Sequence, residues 1–180
     1  DNKGTLGVYG ETKDFKPTMK NRMVVQQLSS ALEITALEVI REKMGGTYSP
    51  SVSVGYSVLP QPGVHWMFYI ECDPEMTREI EKAVFEIVER YQQQGPDAET
   101  LAKVQQQMIG NHETSMQSNG FWMGQISGSY QLNENRDDAA SLERYAKQVR
   151  KVSAADVKKA AQRYMSKDNY ICVTLVPEKQ

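Results

Sequence analysis

The chain has 180 residues, of which 39% are hydrophobic and 24% charged, and it carries a formal net charge of −2. That length suits one well-packed core rather than two, and a near-neutral balance with no basic patch or aromatic-interleaved Lys/Arg run removes the electrostatic case for a nucleic-acid partner. No apolar run approaches the roughly 18 residues that a membrane-crossing helix needs.

Asp1-Asn2-Lys3 opens the chain without a methionine or a charged-then-apolar leader, which reads as an excised piece or a mature form. Thr5 to Thr12 alternate as a strand, with Leu6, Val8 and Gly10 opposed to Gly7 and Tyr9. Lys16-Pro17-Thr18 then opens a long helix in which Met23 or Val24, Leu28, Ala31, Ile34, Leu37, Ile40 and Met44 recur at steps of three or four. So broad an apolar surface belongs against the face of a sheet. Gly45-Gly46 reads as the helix stop, because glycine takes the left-handed conformation that a side chain resists.

Tyr48 to Leu59 and Val64 to Cys72 read as two strands of a hairpin, turned by Pro60-Gln61-Pro62-Gly63. Asp73 caps a helix that Pro74 and Glu75 suit at its first turn, and Ile80, Val84, Ile87 and Tyr91 give it one apolar stripe up to Gly95-Pro96. Asp97 caps the next helix, with Leu101, Val104, Met108 and Ile109 as its apolar set. After the break at Ser118-Asn119-Gly120, the spacing of Phe121, Trp122, Ile126 and Tyr130 predicts a further helix, running toward a polar turn at Asn133 to Asp138. A helix over about Ala139 to Arg150 follows. Another opens on Ser153 and Asp156 as a capping box, and a last strand runs from Tyr170 to Val176. This order predicts an α+β fold: a mainly antiparallel four-stranded sheet with helices packed on one face, as a single domain over 1–180. A one-sided sheet leaves its second face, and an edge, for a neighbouring domain or an extended peptide.

The candidate site lies at the joint between the long helix and the first hairpin strand. Arg41, in the last helical turn, and Tyr48, at the strand start, can be brought to the same end of that unit. A guanidinium and a neutral phenol facing one pocket suit binding a carbonyl and stabilising charge that develops on its oxygen. The same residues serve equally as a cation complementing the helix dipole and as a half-buried packing ring.

Other chemistry is missing. Two histidines, His65 and His112, have no partners at ligand spacing: a His-Glu-x-x-His reading from His112 would need histidine at Met116, and the inverted form would need it at Met108. Both are expected to be packed or solvated residues. Met108, Met116 and Met123 fall at helical positions and are expected to fill the core. Cys72 and Cys172 are expected to act as small buried hydrophobes, with a bridge between them left open. No phosphate loop, serine elbow, Asn-x-Ser/Thr site or repeat occurs.

The string Ile40-Arg41-Glu42-Lys43-Met44-Gly45-Gly46-Thr47-Tyr48-Ser49 resembles the Arg-Glu-Lys-hydrophobic-Gly-Gly-Thr-Tyr signature in the C-terminal domains of pitrilysin-type zinc peptidases, the inverzincins. The resemblance extends to the opening strand near Gly7 to Thr12, the Ser118-Asn119-Gly120-Phe121-Trp122 stretch, and the close from Ser153-Ala154-Ala155-Asp156 to the final strand. It implies the non-metal-binding C-terminal domain of a larger metalloendopeptidase. Zinc would be bound by an N-terminal domain or a partner subunit, and the peptide substrate would be enclosed between two halves. Arg41 would hold a substrate carbonyl, and Tyr48 would donate to the oxyanion. The chain alone would then bind no zinc and be inactive, and a bacterial periplasmic or envelope location would follow. A structural or assembly subunit of the same fold is the alternative that the resemblance leaves open. A peptide-binding module using a free sheet edge is a third.

Overall fold

In the computed structural model, residues 3–43, 50–132 and 144–177 are described. Four strands, β1 (Gly4–Thr12), β2 (Ser51–Ser57), β3 (Gly63–Cys72) and β4 (Tyr170–Leu175), form one sheet in the order β2-β3-β1-β4. All three pairings are antiparallel. The α+β architecture expected from the element order is therefore the one observed. The hairpin strand β2 is shorter than the Tyr48 to Leu59 span, and Tyr48 itself lies outside the described residues.

Register decides the two faces. Leu6, Val8, Val52, Val54, Val64, Trp66, Phe68 and Ile70 point to the helical side and are buried. Gly10 sits opposite Trp66, and any side chain there would collide with the indole, so glycine lets the tryptophan lie flat across β1.

The core helix α1 (Met19–Ala36) starts where the Thr18 hydroxyl accepts from the Asn21 N–H at 3.2 Å. Leu28, Ala31, Leu32 and Ala36 are completely buried. Residues Met19–Arg41 are long and apolar enough to cross a membrane by length and composition, but more than half of the most apolar 18-residue window in that span is buried inside the fold. From Leu37 to Lys43 the chain continues as a π-helix. Helical spacing predicts a regular helix there. Apolar spacing does not distinguish the two forms, and Ile40, one of the spaced positions, is fully buried on the π-helical segment.

Helix α2 (Thr77–Gln93) follows a short 3₁₀ turn capped by Asp73, whose carboxylate accepts from the Glu75 N–H at 3.0 Å. Its stripe of Ile80, Val84, Ile87 and Tyr91 is buried as expected. The Tyr91 hydroxyl donates to the Ala31 carbonyl at 2.8 Å and lies 2.7 Å from the Thr35 hydroxyl, tying α2 to α1. Burial pushes this phenol up to about 12. Gly95, at φ 75°, takes the left-handed conformation that ends α2.

Helices α3 (Ala98–Ser115), α4 (Asn119–Leu132), α5 (Tyr145–Arg150) and α6 (Ala154–Tyr164) complete the layer. Asp97 caps α3 through the Thr100 N–H at 2.8 Å, and Ser153 with Asp156 forms the capping box of α6. An amide network that the sequence does not announce joins α1, α3 and α5. Gln27 donates to the Val149 carbonyl at 2.9 Å, and its own carbonyl accepts from Gln105 at 3.2 Å, which also lies 2.9 Å from the Val152 carbonyl. Helix α4 departs from expectation. It forms where the spacing placed it, but Trp122, Met123, Ile126 and Tyr130 are exposed, so Met123 does not fill the core as expected. The helix leaves the sheet, and among the described residues nothing covers that row.

Candidate functional site

Arg41 is exposed on the π-helical segment, while the adjacent Ile40 is fully buried. The end of the core helix thus buries one side chain and presents the next to solvent. A π-turn inserts an extra residue per hydrogen-bonded loop, is rare, and is frequently found at functional sites. Tyr48, Thr47, Ser49 and the Gly45-Gly46 stop lie outside the described residues. The chain re-enters the described structure at Pro50 and runs directly into β2, an edge strand of the sheet.

The histidines lie on different layers. His65 stands on β3 on the face away from the helices, over Gly55 of β2. His112 is on α3, stacked on the Tyr145 ring at 3.8 Å between centroids and edge-on to Phe121 at 5.4 Å. Among the described residues no group of three or more His, Cys, Asp or Glu side chains could hold a metal. These residues do not fit a zinc site.

Neither cysteine fits a nucleophile. Cys72 pairs with Gly4 and Cys172 with Val8, four positions apart along β1, and both thiols are free. Four strand residues separate them by roughly 13 Å, too far for a bridge. Burial and the Glu81 carboxylate push Cys172 up to about 11, and burial likewise raises Cys72, so neither forms a thiolate readily.

The face of the sheet turned away from the helices is the feature the sequence underplayed. Register aligns Met67, Tyr9 and Ile171 in one row, Tyr69, Gly7 and Val173 in the next, and Thr5 with Leu175 in a third. Tyr69 is 43% exposed, Ile171 63% and Leu175 64%. Strand β4 alternates apolar residues on both faces, so alternation could not say which face is open. Only its pairing to β1 does.

The sequence profile of the family described as Peptidase M16 inactive domain matches residues 10–108. Zinc protease PQQL-like from Arabidopsis thaliana is 27% identical over 165 residues, covering 84% of this chain and 17% of that protein. The periplasmic protease PqqL from Escherichia coli superposes with a TM-score of 0.77 at 22% identity, over 99% of this chain and 19% of its own. A peptidase M16 inactive domain from Pseudomonas fluorescens gives a TM-score of 0.73 at 21% identity, over 100% of this chain and 43% of its own. The structural likenesses show the fold. The chain spans about a fifth of the length of the PqqL-like relatives.

Proposed function

The chain belongs to the peptidase M16 inactive-domain family, and from that premise we propose that it is the substrate-holding partner domain of a zinc-dependent endopeptidase whose metal ligands lie on another domain or subunit. The observation that carries this reading is the exposed Arg41 on a π-helical segment whose neighbour Ile40 is fully buried, in the stretch of chain that precedes the edge strand β2. Arg41 offers a planar donor set to the substrate carbonyl beside the scissile bond, and the Tyr48 hydroxyl donates to the oxygen as it gains charge in the tetrahedral intermediate. Both act by hydrogen bonding and charge, and neither moves a proton. The open apolar sheet face is the surface by which this domain seats against the zinc-bearing half. A periplasmic or envelope location follows from the likeness to the Escherichia coli protease.

Steady-state kinetics on the complete enzyme test this. Tyr48→Phe is expected to lower kcat about 10²- to 10³-fold with little change in KM, as for loss of one oxyanion donor. Arg41→Ala is expected to raise KM as well, and Arg41→Lys to restore activity only in part, since a point charge does not reproduce the planar fork. Unchanged kcat in Tyr48→Phe removes that residue from the mechanism. The second reading, a structural or assembly subunit, draws on the same open sheet face. Unchanged kinetics in both Tyr48→Phe and Arg41→Ala would favour it.

A further inference from the structure

The helical side of the domain holds a cavity of about 710 Å³ between the first half of α1, β2, α3, α4 and α5. That volume falls within the roughly 300–1,000 Å³ of small-molecule sites. It is distinct from the Arg41 region: Arg22, on its wall, lies nineteen positions before Arg41, roughly 25–30 Å along the helix.

Two side-chain amides set its polar chemistry. Elsewhere among the described residues, the buried and half-buried Asn and Gln side chains find partners within the protein. Asn21 donates to the Lys16 carbonyl at 2.8 Å, Gln27 to the Val149 carbonyl at 2.9 Å, Gln92 to the Met165 carbonyl at 2.7 Å and Gln105 to the Val152 carbonyl at 2.9 Å. Gln125 on α4 and Gln148 on α5 are half-buried as well, and both line the cavity. Among the described residues neither of these two side chains makes a hydrogen bond. Each therefore brings two N–H donors and a carbonyl acceptor to the same space. The group that answers them both accepts and donates, as an amide does. A carboxylate offers no donor and costs far more to desolvate. Arg22 and Arg144 also border the cavity, but each is already engaged in an interaction of its own, so neither counts toward a ligand.

The other walls are soft and apolar. Phe121 and the stacked pair of His112 and Tyr145 form an aromatic side, and Met23 and Met108 line the same space with side chains that adapt to irregular shapes.

We propose that this cavity binds an uncharged amide carried on an aromatic body, with the amide hydrogen-bonded by Gln125 and Gln148 and the ring held between the aromatic side and the methionines. Such a group has two sources: a free aromatic amide, or an aromatic residue inside a peptide, flanked by backbone amides. The proposal stands independently of any role for Arg41 or Tyr48.

The test is calorimetric titration of the full-length protein with three probes: 3-phenylpropanamide, its acid 3-phenylpropanoate, and the tripeptide Ala-Phe-Ala acetylated and amidated at its ends. The expected result is saturable binding of at least one amide probe with Kd below about 1 mM, and weaker binding of the acid. Saturation by the tripeptide alone assigns the peptide source, and saturation by 3-phenylpropanamide assigns the free amide. The double variant Gln125→Leu with Gln148→Leu keeps the side-chain size and is expected to weaken the amide about tenfold, at a melting temperature that is unchanged or higher, since two unbonded polar groups are removed. Four results overturn the proposal: no saturation by either amide probe up to about 10 mM, acid binding as tight as the amide or tighter, unchanged affinity in the double variant, or a loss of binding that comes with a lowered melting temperature, which would give the two glutamines a structural role instead.

Discussion

On β3, Trp66, Phe68 and Ile70 are sealed beneath the helices, while Met67 and Tyr69, set between them on the same strand, stand in the open. The two faces draw on similar apolar residues. What separates them is cover: α1 and α2 close one face, and among the described residues nothing closes the other. The closed face is where folding free energy is gained. The open face, with Ile171, Val173 and Leu175 extending it along β4, has gained little on folding and is available for association. An uncovered face of this kind is what the seating against a zinc-bearing half, proposed above, would use.

The contrast can be broken most directly at Trp66. Trp66→Ala is expected to cost about 3–5 kcal/mol of stability in urea unfolding. A loss below about 1 kcal/mol would mean that the helical face is not the tight core described.

Tyr91→Phe sharpens the same side, since the hydroxyl tying α2 to the Ala31 carbonyl and Thr35 disappears while the ring remains. About 1–2 kcal/mol is expected from the same measurement, and no change would mean that the α1–α2 seam is held by packing alone.

A third test uses pH. Desolvation raises the Asp156 carboxyl, but hydrogen bonds from Lys20, at 2.7 Å, and from Ser153 outweigh it and hold the group down at about 2. A depressed folded-state value means that the contribution is fully present above the unfolded carboxyl's range and is lost as pH falls through about 2. With discount for the exposed Lys20, about 1 kcal/mol should disappear between roughly pH 5 and pH 2. Asp156→Asn should lose this part of the acid sensitivity, and an unaltered acid profile would discount the capping network.

The smallest effect is expected on the open face. In the 180-residue chain, Ile171→Ser with Leu175→Ser should each change stability by no more than about 0.5 kcal/mol. In the complete enzyme proposed above, the same pair should loosen the attachment of this domain to the zinc-bearing half, visible as faster limited proteolysis between them. Large destabilisation of the 180-residue chain would show that the face is not open.

The helix starts were legible because their signals are local. Thr18, Asp73, Asp97 and Ser153 each cap through a contact within three residues, so no knowledge of the fold was needed to place them. The stripe on α2 was legible for the same reason. The candidate site was legible only as a string: Arg41 could be named, but that it leaves the helix on a π-turn while Ile40 stays buried depends on packing against the core. The α4 row shows the opposite failure. Of the residues whose spacing predicted that helix, Phe121 packs edge-on to His112 while Trp122, Ile126 and Tyr130 are exposed: spacing says that a face exists without saying that anything covers it.

Sequence by itself determined the α+β order, the caps, the buried stripe of α2, the hairpin turn and the lack of zinc-ligand spacing, because each is written in residues close together along the chain. Tertiary structure alone decided the rest. Placing β1 between β3 and β4 brings Tyr9, Tyr69 and Ile171 onto one open surface, and the convergence of five elements closes a cavity around Arg22. Neither feature has a local signature, because both depend on elements that the fold brings together from different parts of the chain, and the chain records which residues can be buried but not what will lie against them.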